Sequence, residues 1–473
     1  MRGKLNLVSF AGIVFTLTTS TAAVAEQSRD ALSEALLSAI ESHSQGMGLQ
    51  AFIMPRYDYA NIPQDPNNPI TDEKVQLGAL LYHDTAFGTE STDAERAETY
   101  GCATCHHFSA GFKAGTPQGI SDGGVGFGHK GRGRRLGAWM DAGAADGHAS
   151  KPDLQPVATP TILNTAYQDV MLWNGALGSS NGSANTSASG LLDAGPGPIK
   201  ANEFGLSGLE TQVLAGTRLH RLRFDNDSLL QTNRLYQELY KAAYPNGNEG
   251  HIPEGSAVTK SALGAAKAIA AYERTVLANY APFQNWLNGD RYAMSKRQLR
   301  GALLFFGKAN CVACHTGPAL SSAVGASADN MFFSIGFDDF DTSRRRIHGS
   351  VPEKASHGRG GFTGNASDNH KFKVPQLYNL RDTRVFGHGA SFRSVREVIE
   401  YKNNGVSQNS QATNIAAEFV ALNLTDSEVH DLTKFVKKAL YDPWLYRYEP
   451  WTVPSGACFP AADFQSALDI GCF

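Results

Sequence analysis

Two short segments, Cys102-Ala103-Thr104-Cys105-His106 and Cys311-Val312-Ala313-Cys314-His315, repeat the pattern Cys-x-x-Cys-His. Two thiols three residues apart on a helical turn can add to the two vinyl groups of one haem, and the imidazole that follows then lies under the iron. Each segment therefore reads as an attachment site for a covalent haem c. Cys102, Cys105, Cys311 and Cys314 are the tethers, and His106 and His315 are the proximal iron ligands. A redox dithiol or half a zinc site is the alternative for a single copy. Two copies exceed what this Cys and His content gives by chance, and a zinc ribbon would bring its cysteine pairs much closer together in sequence. The other two cysteines, Cys458 and Cys472, lie near the end of the chain and can pair with each other in an oxidising compartment.

Such a compartment is what the start of the chain predicts. Arg2 and Lys4 make a basic opening, Leu5 to Thr18 is apolar, and Ala23-Val24-Ala25 is a small-residue cleavage pattern, so residues 1–25 read as an export signal. No later segment offers the roughly 20 uninterrupted apolar residues of a membrane span. The expectation is a soluble protein in a bacterial periplasm. With 42 basic against 45 acidic side chains and no block of like charges, nothing favours nucleic acid as a partner. A length of 473 residues allows two or three domains, and 48 glycines with only 18% charged residues suit a loop-rich protein packed around something besides its own side chains. Disorder, collagen and coiled coil are excluded.

The expected fold is mainly α, with long connections. Ser28 to Ser44 carries Leu32, Leu36, Leu37 and Ile40 at helical spacing, and Thr259 to Leu277 is rich in Ala, Leu and Ile. Ser295 with Gln298, and Thr425 with Glu428, are capping-box starts. The small-residue stretch from Gly175 to Pro198 reads as a surface loop or insertion. A boundary near Asn246 to Gly250 gives an N-terminal haem domain at 26–250, a C-terminal haem domain at 251–443, and an extension at 444–473.

Beyond the haem motifs, the chain from Leu77-Gly78 to Leu440 resembles the bacterial dihaem cytochrome c peroxidases, a family that includes the MauG-type enzymes. The landmarks are Ala158-Thr-Pro-Thr-Ile-Leu-Asn164, Leu172-Trp173-Asn174-Gly175, and Gly197-Pro198-Ile199 followed by Glu203. After the second haem motif come Phe372-Lys-Val-Pro-Gln-Leu377 and Phe386-Gly-His388-Gly.

The resemblance implies two cytochrome c-like haem domains. Peroxide would react at the N-terminal haem, on His106, and the C-terminal haem, on His315, would pass electrons to it. Glu203 falls where the family has its distal acid–base glutamate, a group suited to moving a proton between peroxide oxygens, although the segment here is one residue shorter after Pro198. Trp173 matches a tryptophan that helps electrons cross between the haems, and His388 is placed near the C-terminal haem.

Two positions depart from the pattern. Many relatives carry a mobile-loop His that ligates the N-terminal iron in the resting enzyme. The corresponding loop, Gly119 to Arg135, holds His129 at a different distance from His106, and without that ligand the iron would be open to peroxide. The distal ligand of the C-terminal haem, a Met in peroxidases and a Tyr in MauG-type enzymes, falls at Tyr401 or Lys402, which the sequence leaves open. Either would lower the iron's potential relative to a thioether. An Asn that helps bind calcium in relatives is replaced by Ala158, which weighs against calcium.

The leading function is thus a periplasmic peroxidase reducing hydrogen peroxide to water with electrons from a small cytochrome c or cupredoxin. The second is a MauG-type enzyme oxidising a partner protein or an organic substrate. A pure electron carrier is disfavoured by Glu203 and Trp173. Relatives are commonly homodimers.

Overall fold

The computed structural model describes residues 28–91, 94–137, 153–178, 191–192, 199–322, 326–344 and 346–472. The export segment and most of the stretch 175–198 lie outside these residues. Helices dominate, joined by long irregular connections, and the strands are three two-residue antiparallel ladders: β1 (Gly124–Val125) with β2 (Arg135–Leu136), β3 (Leu191–Leu192) with β4 (Ile199–Lys200), and β5 (Phe332–Phe333) with β6 (Phe372–Lys373).

Helix α1 (Arg29–Ser42) starts where the Ser28 hydroxyl accepts from the Ala31 amide, and it buries Leu32, Leu36 and Ile40 along one stripe. Each buried aliphatic side chain contributes roughly 1.5–3 kcal/mol. Helix α2 (Asp72–His83), capped by Thr71, leads into the short α3 (Cys102–Cys105) of the first haem motif. Next come α4 (Gly208–Leu219), α5 (Arg234–Ala243) and α6 (Lys260–Thr275). The alanines of α6 are buried on all sides, as befits a helix enclosed by neighbours. It packs against both α2 and α4. At its crossing with α2, a Cβ on Gly78 would lie 2.0 Å from the Ala268 carbonyl oxygen, so only glycine permits this approach.

Helix α7 (Lys296–Phe306) begins with the Ser295–Gln298 capping box and runs toward the second haem motif. It packs on α1 and on α9 (Asp426–Lys434), whose own capping box joins Thr425 and Glu428 and which continues into a π turn at Phe435–Ala439. Between them in sequence is α8 (Val395–Asn404). One hydrophobic core runs continuously from Leu32 to Leu445. The chain therefore crosses the expected boundary twice: α6 packs on the helix before the first motif, and α1 packs on the helix before the second.

The last segment folds back over the first haem motif. Ala461 bridges to Tyr100, the Thr104 hydroxyl donates to the Pro460 carbonyl at 2.5 Å, and α10 (Phe464–Ile470) closes the chain. A disulfide joins Cys458 to Cys472. No helix among the described residues is long and apolar enough to cross a membrane.

Candidate haem centres

At the first motif, the Cys102 carbonyl accepts from the His106 amide at 3.0 Å, and the Tyr82 hydroxyl donates to the His106 carbonyl at 2.5 Å. These bonds fix the backbone of the ligand residue. The imidazole Nδ1 stands 3.3 Å from the Phe112 carbonyl; donation there puts the proton on Nδ1 and leaves the Nε2 lone pair for a metal. Burial holds the His106 pKa down to about 4, so the ring is neutral, as a ligand must be. Burial likewise pushes the Cys105 thiol up to about 12 and raises that of Cys102 further.

The two thiols and the imidazole open into a common cavity. Its walls come from Gln212 and Gly216 on α4 and from His220 at that helix's C-cap, from Ile269 and Glu273 on α6, and from Lys373 on β6. A cavity edged by two free thiols and a pre-oriented imidazole fits a covalently tethered haem.

Besides Cys102, Cys105 and His106, three ionisable groups line this cavity. His220 Nδ1 lies 2.6 Å from Asp153 Oδ2. Burial works against the imidazolium, but the Asp153 carboxylate outweighs it and holds His220 above its usual pKa. Burial, helped by the charge of Glu210, raises Glu273 to about 8, and its Oε2 has no hydrogen-bond partner. Burial lowers Lys373 to about 7, and its ammonium donates to the Gln168 side chain. Glu203 and His129 stand elsewhere. Glu203 is exposed on the turn Ala201–Phe204, His129 is exposed on the turn His129–Gly131, and neither lines the cavity.

Trp173 donates through its indole nitrogen to the Ala158 carbonyl at 2.7 Å, and its ring meets His388 edge-on at 6.3 Å. His388 in turn stacks on Phe372 at 3.6 Å and binds Asp339 through Nε2 at 3.0 Å. The Trp173 carbonyl accepts from the Lys373 amide. Lys373 reaches the first cavity, and two residues later Pro375 stands beside His315 at the second motif. Trp173 thus leans on a segment that touches both centres.

At the second motif, Cys311–Ala313 forms a single 3-10 turn and His315 Nδ1 lies 3.0 Å from the Leu320 carbonyl, which repeats the orientation seen at His106. Burial lowers this imidazole to about 4, with the Lys402 charge adding to the effect. Adjacent positions on α8 point apart. The Tyr401 hydroxyl lies 2.5 Å from the Ile335 carbonyl and 3.0 Å from that of Gly336, and its ring is packed among Phe337, Phe392 and Phe419. The Lys402 ammonium instead acts on Cys311, Cys314 and His315, stands 5.8 Å from the Phe419 ring centre, and makes no hydrogen bond or ion pair among the described residues. Sequence reasoning passed over His220, Asp153, Glu273 and Lys373. A Glu-Arg pair inside an alanine-rich helix was the one available signal, whereas His220 carries no motif.

Residues 72–292 match the family described as di-haem cytochrome c peroxidase. A cytochrome-c peroxidase, IdrP1, of Pseudomonas sp. (strain SCT) is 25% identical over 420 residues, which cover 83% of this chain and 89% of that one. The methylamine utilization protein MauG of Methylophilus methylotrophus is 26% identical over 388 residues, covering 80% and 85%. The crystal structure of a MauG-like protein associated with microbial copper homeostasis shares the fold, with a TM-score of 0.57 at 21% identity over 84% of this chain and all of that one. Over residues 72–292 the chain thus resembles the di-haem cytochrome c peroxidases, and the relatives it matches are oxidoreductases.

Proposed function

We propose that the protein is an exported, periplasmic peroxidase that reduces hydrogen peroxide to water with electrons from a small cytochrome c or cupredoxin. The observation that carries this reading is the first centre: a neutral, carbonyl-oriented His106 beside two thiols, facing a cavity lined by proton-active groups. Cys102, Cys105 and His106 would hold one haem in an N-terminal domain, 26–250, and Cys311, Cys314 and His315 the other in a C-terminal domain, 251–443. When bound, the haems supply the redox chemistry, accepting two electrons from the donor for each peroxide reduced.

The chain's own residues manage protons and position. Reduction of peroxide to two waters consumes two protons, and His220, whose imidazolium Asp153 favours, is a donor within the cavity wall. Glu203, the family's acid–base position, is the second proton-handling residue in this reading. Its exposed turn immediately precedes α4, whose inner face lines the cavity. Trp173 serves the electron path between the centres, supported by its contact with His388 and its backbone bond to Lys373. At the second centre Lys402, rather than Tyr401, would supply the further iron ligand, because the Tyr401 hydroxyl is committed to two carbonyls.

One test uses intact mass and turnover together. The mature protein should carry two haems, the double replacement Cys102→Ala/Cys105→Ala should remove one, and that variant should lose peroxide reduction with reduced cytochrome c as donor. Two attached haems with no donor-dependent peroxide consumption would refute the proposal. The placement of Lys402 beside Cys311, Cys314 and His315 favours the MauG-type reading instead, since an amine in place of a thioether at the second centre would lower that iron's potential. A long-lived oxidised state after peroxide alone, with slow reduction by the donor, would select that reading.

A further inference from the structure

Lys373 is a buried cation that the fold bonds to no carboxylate among the described residues. It belongs to the two-residue strand β6, whose side chains point to opposite faces: Phe372 stacks on His388 at 3.6 Å, and Lys373 turns into the first cavity. Its backbone is held on one side by pairing with β5 and on the other by its amide, which donates to the Trp173 carbonyl at 2.7 Å. The residue is only 9% exposed. Its ammonium donates to the side-chain oxygen of Gln168, while Asp169 acts on it through space alone. The other cation of the cavity wall is treated differently, since His220 has Asp153 at 2.6 Å. An ammonium carries three donors, and Gln168 takes one of them. The Gln168 amide nitrogen, also on the cavity wall, makes no hydrogen bond among the described residues. A buried charge without a partner is costly, and burial lowers Lys373 to about 7.

The position of this pair along the wall says what it is for. The Glu273 carboxyl acts on Cys102 and the Arg134 guanidinium on Cys105, whereas the Lys373 charge acts on neither thiol. A haem tethered to those thiols through its two vinyl groups presents its propionate carboxylates from the opposite edge of the macrocycle. We propose that Lys373 and Gln168 form the seat of a haem propionate at the first centre, with Lys373 binding the carboxylate and the Gln168 amide orienting it. The propionate supplies the counter-charge that the chain omits, in a charge-assisted hydrogen bond of the strong kind. Because the Lys373 amide also holds the Trp173 carbonyl, one residue ties the edge of the first haem to Trp173. A cation bonded beside a haem favours the reduced, more negative state, so Lys373 also raises the potential of the first iron. This inference rests on the reading of Cys102 to His106 as a haem site.

The test uses the two-haem protein and two readouts, a redox titration of each haem and the low-frequency resonance Raman band of the propionate bend. Lys373→Met should lower the midpoint potential of the first haem, leave that of the second in place, and shift the propionate band. Lys373→Arg, which keeps the charge, should restore most of the potential. Gln168→Leu leaves the cation in place and should shift the band with a smaller change in potential, which keeps the test open if Lys373→Met does not mature. A first-haem potential unchanged in Lys373→Met would overturn the proposal, as would an equal fall in Lys373→Arg, or a propionate band that stays put in both Lys373→Met and Gln168→Leu. Haem content by pyridine haemochromogen separates these outcomes from failure of the haem reading, which would show as fewer than two haems in the wild type.

Discussion

Glu210 offers a measurement of how the cavity walls are held together. It lies on α4, accepts from Arg274 of α6 at 2.8 Å through Oε1 and at 2.5 Å through Oε2, and also accepts from Asn68 at 3.2 Å. Both side chains are buried, at 0% and 5% exposure. Replacing Glu210 by Ala leaves the guanidinium enclosed with the Pro63 carbonyl, 2.9 Å away, as its remaining hydrogen-bond acceptor. Breaking a buried pair on one side in this way costs about 3–5 kcal/mol, a large part of the ~5–15 kcal/mol that stabilises a typical domain. Glu210→Gln keeps the shape and one acceptor oxygen, so its cost should be smaller, about 1–3 kcal/mol. The double replacement Glu210→Leu/Arg274→Leu removes both desolvation penalties and should recover most of the loss. Urea unfolding of the holoprotein, followed by circular dichroism, reads all three. A single Ala replacement costing less than about 1 kcal/mol, or a double variant weaker than the single, would refute the claim that this pair joins the walls.

Other consequences follow from the same geometry. Gly78→Ala places a methyl against the Ala268 carbonyl and should cost about 1–3 kcal/mol through forced separation of α2 and α6, visible as a lowered thermal midpoint. Because Asp153 outweighs burial and raises the His220 pKa, the pair stabilises the fold fully below the unfolded histidine value of 6.5 and loses that contribution as pH rises through the folded value. Asp153→Asn should abolish this pH-dependent component in urea titrations run at pH 5 and pH 8, and an unchanged difference between the two would contradict the pairing. Lys402→Met should raise the midpoint potential of the C-terminal haem in a redox titration, whereas Tyr401→Phe should leave it in place; the reverse pattern would assign the ligand to Tyr401. Glu203→Gln should leave both haems attached and slow peroxide consumption by orders of magnitude, and an unaltered rate would leave His220 as the cavity's proton donor.

Some of this was legible because the chemistry is local in sequence. Thioether attachment demands two cysteines and a histidine in one turn, so the haem motifs stand out, and the capping boxes at Ser295 and Thr425 need only residues three apart. The alanine-rich helix was visible as a helix. Its partner was not, because the close crossing depends on Gly78, nearly 200 positions earlier. Tyr401 and Lys402 could not be separated by counting, since neighbours on a helix differ by about 100° in direction, and it is the fold around Ile335 and Gly336 that takes up the tyrosine. The cysteine pair at the end of the chain was readable as a staple, but the bonds of Asp463 and Asp469 to the amides of Gly126, Phe127 and Gly128 were not. Those partners lie more than 300 residues away, and no spacing rule connects them.

The central claim is that peroxide is reduced at the first centre by electrons arriving through the second. The most direct measurement mixes the oxidised two-haem protein with a reduced small cytochrome c and a limiting amount of hydrogen peroxide, and follows donor oxidation by stopped flow. The account predicts two donor molecules oxidised per peroxide, and loss of that turnover when His315 is replaced while the first haem remains attached. Peroxide consumed with no donor oxidation, or donor turnover unaffected by loss of His315, would contradict it.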